Sequence, residues 1–537
     1  MRKYIFVTGG VVSGLGKGTM AASLGRLLKA RGFRVTNQKF DPYINVDPGT
    51  MSPYRHGEVF VTEDGSECDL DIGHYERFID ENLSGECNIT TGKVYMSVIE
   101  RERRGGYDGA DVQVIPHVTD EIKCRIRQAA ENAKADIAII EIGGTVGDIE
   151  SLPFLEAIRQ MAFEVPRAGA CFIHLTLLPF LQGSGEMKSK PTQHSVKQLL
   201  AIGIQPDIVV CRSDRDVGES IRDKIALFCN VRRESVIQNM DVDNIYDVPL
   251  MLEDEGLARL VCDKLELACA KPDLDEWRAL CRRRREATHT VDIALVGKYV
   301  DMKDAYLSVA ESLHHAAAWE GLRLNLSWVD AEGLERSDNM AELTAASAII
   351  VPGGFGERGF GGMIRAASHA RTQKTPFFGI CLGMQAAVIS FAREILSLTD
   401  ANTSEFAKTT NPIIDLMPEQ KNVTDLGGTI RRGGAVITLK QGSLIEGAYN
   451  ASSVTERHRH RYELNPTYIP TLTQNGLIIA ATSHNGEGDI RSEAIELANH
   501  PFYIGTQYHP EFISRPNRPH PLFLTFIKAA KNQPPPS

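Results

Sequence analysis

The sequence predicts a two-domain α/β protein, the first domain built on a mainly parallel sheet. Three observations predict it. Short apolar runs alternate with amphipathic helical stretches from the N-terminus to about residue 266, an arginine-rich polar stretch follows, and a fresh strand-first alternation starts at Val291. With 537 residues, 42% hydrophobic and 24% charged, the chain is long enough for two cores.

The first apolar run, Tyr4 to Val7, reads as a buried strand, and Met20, Leu24, Leu27 and Leu28 fall at helical spacing. Arg34–Phe40, Asp136–Ile142, Cys171–Leu178 and Asp207–Cys211 are further strand candidates. Lys271–Thr290, with Trp277 and the run Arg282–Arg285, reads as a linker or a solvated helix face. The expected segments are therefore 1–266, a linker at 267–290, and 291–537. In the last of these, Asp292–Val296, Leu322–Trp328, Ala348–Pro352, Pro376–Ile380 and Tyr503–Tyr508 are strand candidates. Lys531–Ser537, ending in three prolines, reads as a disordered tail.

A net charge of −10 argues against a broad nucleic-acid surface. No apolar run approaches the ~20 residues of a membrane span, and Met1-Arg2-Lys3 followed by a strand lacks the plan of a signal peptide. Ten scattered cysteines without a C-x-x-C pair suit a reducing cytoplasm.

The stretch VTGGVVSGLGKGTMAASL, from Val7 to Leu24, is a strand, a glycine-rich turn with one lysine, and a helix. That is the layout of a phosphate loop, in which backbone N–H groups and a helix N-terminus hold an anion and the lysine adds a full charge. The spacing departs from G-x-x-x-x-G-K-[ST], because Gly10 lies six residues before Gly16 and Gly18 separates Lys17 from Thr19. A turn without a ligand is the alternative, but it has no need of glycine at 9, 10, 14, 16 and 18.

The second half carries sharper chemistry. Gly379-Ile380-Cys381-Leu382-Gly383 follows a strand and precedes the helical stretch Met384–Phe391, the plan of a nucleophile elbow with sulfur in place of oxygen. A helix N-terminus and a neighbouring imidazolium both favour thiolates. A buried structural cysteine is the alternative. Yet GTQYHPEF places His509 and Glu511 past another strand, as a base and its orienting group at i, i+2 in extended chain. VPGGFGERG offers Gly353 and Gly354 as oxyanion donors. Alternation in ERHRHRYE reads as a strand with arginines on one face and His458 and His460 on the other, rather than as a metal site.

These residues resemble the class I glutamine amidotransferase domain. The resemblance implies Cys381 as nucleophile, His509 as general base and acid, and Glu511 as orienter. It places the oxyanion hole at the N–H groups of Gly354 and Leu382, with Gly383, Met384 and Gln385 in the elbow segment. Glu405 in NTSEF and Arg461 in ERHRHRYE would hold the amino and carboxylate ends of L-glutamine. A forked guanidinium suits that carboxylate.

In the first half, Asp71 sits in an acidic stretch and Glu141 closes an apolar strand, where a carboxylate is costly without a partner. Two hard oxygen ligands beside a phosphate loop suit Mg²⁺, with capping or surface acids as the alternative. Lys188 and Lys190 in MKSKPTQHS and Lys224 in RDKIALFCNV suit a triphosphate, although each alone fits a solvated surface. Together with KFDPYINVDPGTMSPYRHGEVFV, DLDIGHYERF and GGTVGDIES, these motifs resemble the CTP synthase family almost end to end. The phosphate loop resembles the variant form of dethiobiotin-synthetase-like amidoligases. Gly14 and Cys68 stand where that family often has Ser and Thr.

That resemblance implies ATP at Gly14, Leu15, Gly16, Lys17, Gly18, Thr19 and Asp71, Mg²⁺ at Asp71 and Glu141, and a phosphate contact from Lys39. It implies UTP or CTP at Ser13, Asp148, Ile149, Glu150, Lys188, Ser189, Lys190, Pro191, Thr192, Gln193 and Lys224. It further implies amination through a 4-phosphoryl-UTP intermediate, feedback by CTP, activation by GTP with Thr429 and Arg431 as candidate contacts, and a homotetramer. Two rival readings are weaker. An amidoligase acting on a carboxylate has no use for KSKPTQHSV, and a non-catalytic P-loop switch would carry an early lysine that Gly9-Gly10-Val11 lacks.

Overall fold

The computed structural model describes residues 2–336, 340–420, 427–484 and 490–533. They form two compact units, one of Met1–Pro48 with Asp71–Cys281, the other of Gly49–Leu70 with Arg282–Ser537. Among the described residues no helix is long and apolar enough to cross a membrane. The tail read as disordered lies outside the described residues from 534 onward.

Seven parallel strands make the sheet of the first unit: β1 (Lys3–Gly9), β2 (Val35–Asp41), β3 (Asn88–Thr90), β4 (Ile137–Ile142), β5 (Ala170–Leu177), β6 (Ile208–Ser213) and β7 (Val236–Met240). Their spatial order is β7, β6, β5, β1, β4, β2, β3. Residues along β1 and β4 are buried almost continuously, because helices cover both faces of a parallel sheet. The chain crosses from one side of β1 to the other between β4 and β5. Such a reversal opens a crevice at the carboxyl ends of the strands. Helices α1 (Lys17–Lys29), α2 (Leu70–Ile79), α3 (Leu152–Glu164) and α4 (Lys190–Ala201) start at or near that edge.

Residues 271–290 hold more structure than a linker. A helix runs over Asp275–Glu286, and Trp277 is buried against Phe78 and Tyr246, donating its indole N–H to Tyr246 O at 2.7 Å. Arg282, Arg283 and Arg285 are exposed, as a solvated helix face requires.

In the second unit nine strands form one sheet: β8 (His289–Gly297), β9 (Leu322–Asp330), β10 (Ala348–Val351), β11 (Phe377–Ile380), β12 (Arg431–Leu439), β13 (Ser453–His460), β14 (Leu477–His484), β15 (Ile490–Leu497) and β16 (Tyr503–Thr506). The order is β9, β8, β10, β11, β16, β15, β14, β12, β13. From β9 to β16 the pairing is parallel, and beyond β16 it is antiparallel. The apolar strand candidates of this half lie in the parallel part, and the strand read in ERHRHRYE is β13 of the antiparallel part. β12 escapes the sequence reading because RRGGAVITL opens on charge and glycine. Helices α5 (Leu307–Trp319), α6 (Phe360–Gln373), α7 (Leu382–Glu394) and α8 (Pro521–Lys531) complete the layers.

Segment 49–70 is held in this second unit by buried polar contacts. Arg459 Nε donates to Glu67 Oε1 at 2.8 Å, the Ser308 N–H donates to Glu58 Oε2 at 2.8 Å, and Arg457 Nη1 donates to Val61 O at 3.0 Å. A buried carboxylate that lost such a partner would cost several kcal/mol, so these contacts fix the segment in place.

Candidate active site

β11 ends at Ile380 and α7 begins at Leu382, so Cys381 alone makes the turn. Its φ of 52° and ψ of −104° are strained for a side-chain-bearing residue and persist only where surroundings enforce them. The Cys381 N–H donates to Thr506 O at 2.6 Å, pinning the turn to β16. Tight packing explains the flanking glycines. A Cβ on Gly379 would lie 2.7 Å from the Gly383 carbonyl carbon, and one on Gly383 would lie 2.0 Å from Val351 O. The turn thus places the sulfur at the N-terminus of α7, where an anion is favoured.

His509 follows β16. Its Nδ1–H donates to Glu511 Oε1 at 2.7 Å. The expected extended geometry is not what joins them, because Pro510–Ile513 is a 3₁₀ turn that brings the carboxylate back onto the ring. A Cβ on Gly353 would sit 2.9 Å from His509 Cε1 and 3.5 Å from Cys381 Cβ, which sets the two side chains side by side. Burial opposes charge on the imidazole, but Glu511 and the Cys381 sulfur outweigh it and push the His509 pKa up to about 10. The resting ring therefore carries both protons through neutral pH.

A cavity of about 370 Å³ opens on Cys381, lined by Gly354, Leu382, Gln385, Glu405, Arg461 and Tyr462 among others. Thr50 and Glu67 of the 49–70 segment also line it. Burial raises the Glu405 pKa, while the Gly356 N–H and the charges of Lys298 and Arg461 pull it back. Arg461 Nη2 donates to Thr429 Oγ1 at 2.8 Å.

Three residues here escape the sequence reading. Lys298 Nζ donates to Phe355 O at 3.2 Å and Gly356 O at 2.5 Å, gripping by its carbonyls the loop that carries Gly354. Burial lowers its pKa to about 8. Gln507 Nε2 donates to Cys381 Sγ at 3.5 Å, and its Oε1 accepts from Gln385 Nε2 at 3.2 Å. Glu67 accepts from Arg459 in the cavity wall. A signal for Lys298 exists, since a charge closes the apolar run of β8 just as Glu141 closes that of β4.

His458 and His460 are buried on β13. His458 Nε2 bonds Glu493 Oε2 at 2.9 Å, and His460 Nδ1 lies 3.1 Å from Tyr462 O. Arg431 donates to Glu493 Oε1 at 2.7 Å and to Ser483 Oγ at 3.2 Å, so its guanidinium is already committed.

In the first unit, β1, β2 and β4 bring Val7, Lys39 and Glu141 into register at the carboxyl edge of the sheet. Gly9, Gly10 and Gly18 of the phosphate loop pack against their neighbours without room for a side chain, whereas Gly14 faces open space. A Cβ on Gly10 would lie 1.7 Å from Ser195 Oγ, and one on Gly18 would lie 2.0 Å from Asp71 Oδ1. Lys17 opens α1 and its Nζ donates to Gly144 O at 2.6 Å. Burial lowers the Lys17 pKa against the opposing charges of Glu141 and Asp71.

Lys39 Nζ is ion-paired with Asp71, lies 3.1 Å from Glu141 Oε1 and stands 3.9 Å from Asp41 Oδ1. The Tyr75 hydroxyl also bonds Glu141. Burial pushes all three carboxyls up. At Asp71 the Lys39 charge wins and the pKa falls below its usual value, Glu141 stays raised, and Asp41 reaches about 6. Hard carboxylate oxygens converging on one ammonium are the donor set that Mg²⁺ accepts, with nucleotide phosphates completing its shell.

The loop bearing Asp148 joins the same edge. Asp148 Oδ2 accepts from the Thr145 N–H at 2.6 Å, and its charge acts on Lys17. Ser13, Gly14, Ile149 and Glu150 are exposed, and Gly14 O accepts from Arg212 Nη1 at 3.2 Å. Lys190 and Pro191 open α4. Gln193 Nε2 donates to Ser189 Oγ at 3.0 Å, whereas Thr192 spends its hydroxyl on Thr176 Oγ1 and Leu177 O, at 3.1 and 3.2 Å. Lys188 donates to Glu186 Oε2 at 2.6 Å, and the Lys224 charge acts on that same carboxylate. His174, unnoticed in the sequence, bridges Thr8 Oγ1 and Ser195 Oγ at 2.8 Å each. Burial lowers its pKa to about 3, so it does so as neutral imidazole.

Residues 3–267 match the family model described as CTP synthase N-terminus, and residues 301–529 match that of glutamine amidotransferase class-I. A CTP synthase of Ruminiclostridium cellulolyticum is 57% identical over 528 residues, covering 98% of each chain. One of Symbiobacterium thermophilum is 57% identical over 536 residues, 99% of this chain and 98% of the other. A solved Trypanosoma brucei CTPS glutaminase domain with bound acivicin is 38% identical, covering 46% of this chain and 95% of that one, with a TM-score of 0.43. The cysteine elbow falls in one matched stretch and the phosphate loop in the other, and identity above one half runs through both; the chain belongs to the CTP synthase family.

Proposed function

We propose that this chain aminates UTP to CTP, using ATP and ammonia released from L-glutamine at Cys381. One observation carries the reading: a single chain holds both a strained cysteine elbow paired to His509–Glu511 and a phosphate loop beside the Lys39–Asp71–Glu141 cluster. Nitrogen transfer needs both sites.

Glutamine enters the cavity with its carboxylate on Arg461 and its amino group on Glu405. The Cys381 sulfur attacks the carboxamide carbon, and the oxyanion settles on the N–H groups of Gly354 and Leu382, within the elbow segment that Gly383, Met384 and Gln385 continue. His509 gives its Nε2 proton to the departing ammonia. It then takes one from the water that cleaves the thioester, releasing glutamate. Glu511 keeps the ring in the required tautomer.

In the nucleotide site Gly14 to Thr19 wrap the ATP phosphates, with Lys17 and Lys39 as the charges nearest them. Asp71 and Glu141 would hold Mg²⁺, which would supply charge neutralisation for phosphoryl transfer. UTP O4 attacks the γ-phosphorus, ADP leaves, ammonia adds at C4, and phosphate departs with loss of a proton. The uridine nucleotide lies along Ser13, Asp148–Glu150, Lys188–Gln193 and Lys224, where CTP returns as inhibitor. GTP acts as activator. Nucleotide chemistry falls to segment 1–266 and glutamine hydrolysis to 291–537, to whose cavity residues 49–70 of the first segment contribute Thr50 and Glu67. A homotetramer is supported by large apolar side chains left in water on the first unit, with Ile44 78% and Ile149 79% exposed. Ten free cysteines suit residence in the cytoplasm.

The test is absorbance-monitored CTP formation from UTP, ATP and Mg²⁺ with either glutamine or ammonium chloride. Both nitrogen sources are expected to work, and no product from ammonium would remove UTP as the acceptor. Gly18→Ala drives a methyl into Asp71, so ammonium-dependent synthesis is expected to fall by about 100-fold while glutamate release continues. Equal loss of both reactions would point to misfolding instead.

His509 also fixes a pH dependence. Its pKa is raised, so the acid form persists from neutral pH upward and is lost as pH climbs through about 10. Glutamate release should hold up on the alkaline side until that region. In Glu511→Gln, which removes one cause of the shift, the fall should start at lower pH. A wild-type rate that declines near the ordinary histidine value of ~6.5 would contradict this.

A further inference from the structure

We infer that Phe60 and Phe512 are positioning residues for His509, locked into a closed circuit by Arg457. The inference rests on the reading of Cys381 and His509 given above and extends it to residues outside the cysteine–histidine–glutamate set.

Each link of the circuit is a contact in the structure. The Phe512 ring stacks on the His509 imidazole, with centroids 5.1 Å apart and planes 16° from parallel. Phe60 meets Phe512 edge-to-face at 5.1 Å and 67°. The Arg457 guanidinium carbon stands 5.5 Å from the centre of the Phe60 ring. Arg457 then closes the loop through its backbone, because its carbonyl accepts the His509 N–H at 2.8 Å. Its Nη1 also holds Val61 O at 3.0 Å, next to Phe60 in the chain. Phe60, Arg457 and Phe512 are all buried.

The Glu511 bond fixes one atom of the imidazole, Nδ1, and leaves the ring free to tilt about that bond. A stacked phenyl removes the tilt and so aims Nε2. The negative face of the phenyl also favours an imidazolium over a neutral ring. Phe512 is itself only three residues from His509 and cannot brace it alone. Phe60 braces it from the far side, and Arg457 ties Phe60 to the same backbone that holds His509. The brace therefore comes from segment 49–70, far from the histidine in sequence.

Phe60→Leu and Phe60→Met remove the ring but keep an apolar side chain, and Phe60→Tyr keeps the ring. Steady-state glutamate release and CTP formation are measured for each, with glutamine and with ammonium. Both ring-deleting variants are expected to lower kcat for glutamine about tenfold with KM within about twofold, because ring aim matters in the transition state and not in binding. Ammonium-dependent CTP formation should stay within about twofold, which also reports an intact fold, and Phe60→Tyr should keep near-wild-type kcat. An unchanged kcat in Phe60→Leu and Phe60→Met, a rise in KM alone, or equal losses on both nitrogen sources overturns the inference. Cys381→Ala run alongside separates the two levels. If it retains glutamine turnover, the underlying site assignment fails, whatever Phe60 does.

Discussion

Cys381→Ala is expected to reduce glutamine-dependent CTP formation by about 10⁴-fold or more, while ammonium-dependent formation stays within about twofold of wild type. The sulfur is the only atom removed. His509 keeps its bond to Glu511, Gln507 keeps its bond from Gln385, and the bond from the residue 381 N–H to Thr506 O does not involve the side chain. A methyl at a φ of 52° is no more strained than the native side chain, so the turn should persist. Measuring both nitrogen sources on one preparation reads the result directly. Loss of both would mean that Cys381 supports the fold rather than the chemistry, and loss of neither would remove it as nucleophile.

Lys39→Ala should give the mirror-image phenotype. Lys39 is the ammonium on which Asp71, Glu141 and Asp41 converge. Without it, buried carboxylates face one another, and breaking a buried pair from one side costs about 3–5 kcal/mol. Ammonium-dependent synthesis is expected to drop by about 10³-fold, since a cation aimed at developing phosphoryl charge is lost, while glutamate release at Cys381 continues. The pH dependence of stability has a definite sign. Carboxyls whose folded pKa lies above the unfolded value bind more protons folded than unfolded, so the variant gains stability as pH falls. Already in the native chain burial lifts Asp41 to about 6. Thermal unfolding across acid to neutral pH checks this, and Mg²⁺ should raise the melting temperature of the variant more than that of wild type. Retained ammonium-dependent activity would remove Lys39 from the nucleotide site.

The reactive residues are legible in sequence because their signals are local. Cys381 is framed by glycines that must clear Gly383 and Val351, and Glu141 closes a run that would otherwise be wholly apolar. The strands that carry them are legible for the same reason, as continuous buried runs in parallel sheets. What is missed is non-local. Lys298 matters only because it meets carbonyls 57 and 58 residues away, and Gln507 only because its amide reaches Cys381 and Gln385. Glu511 meets His509 through a 3₁₀ turn and not through the extended chain that the i, i+2 spacing suggests. β12 is masked at its start, where Arg431 pairs with Glu493, whereas the charge alternation of β13 is legible although its pairing of Arg459 with Glu67 is not.

The placement of residues 49–70 bears on how the gene can be recombined. A chimera that joins residues 1–281 of one homologue to 282–537 of another looks like a clean exchange of halves, yet it splits the second unit between two parents. Glu67 would then face arginines at 432 and 459 from a different lineage, and Glu58 a foreign Ser308. A functional transplant of the glutamine-hydrolysing half has to carry two cassettes, 49–70 together with 282–537, because the coding order and the packing order of this chain differ by one excursion.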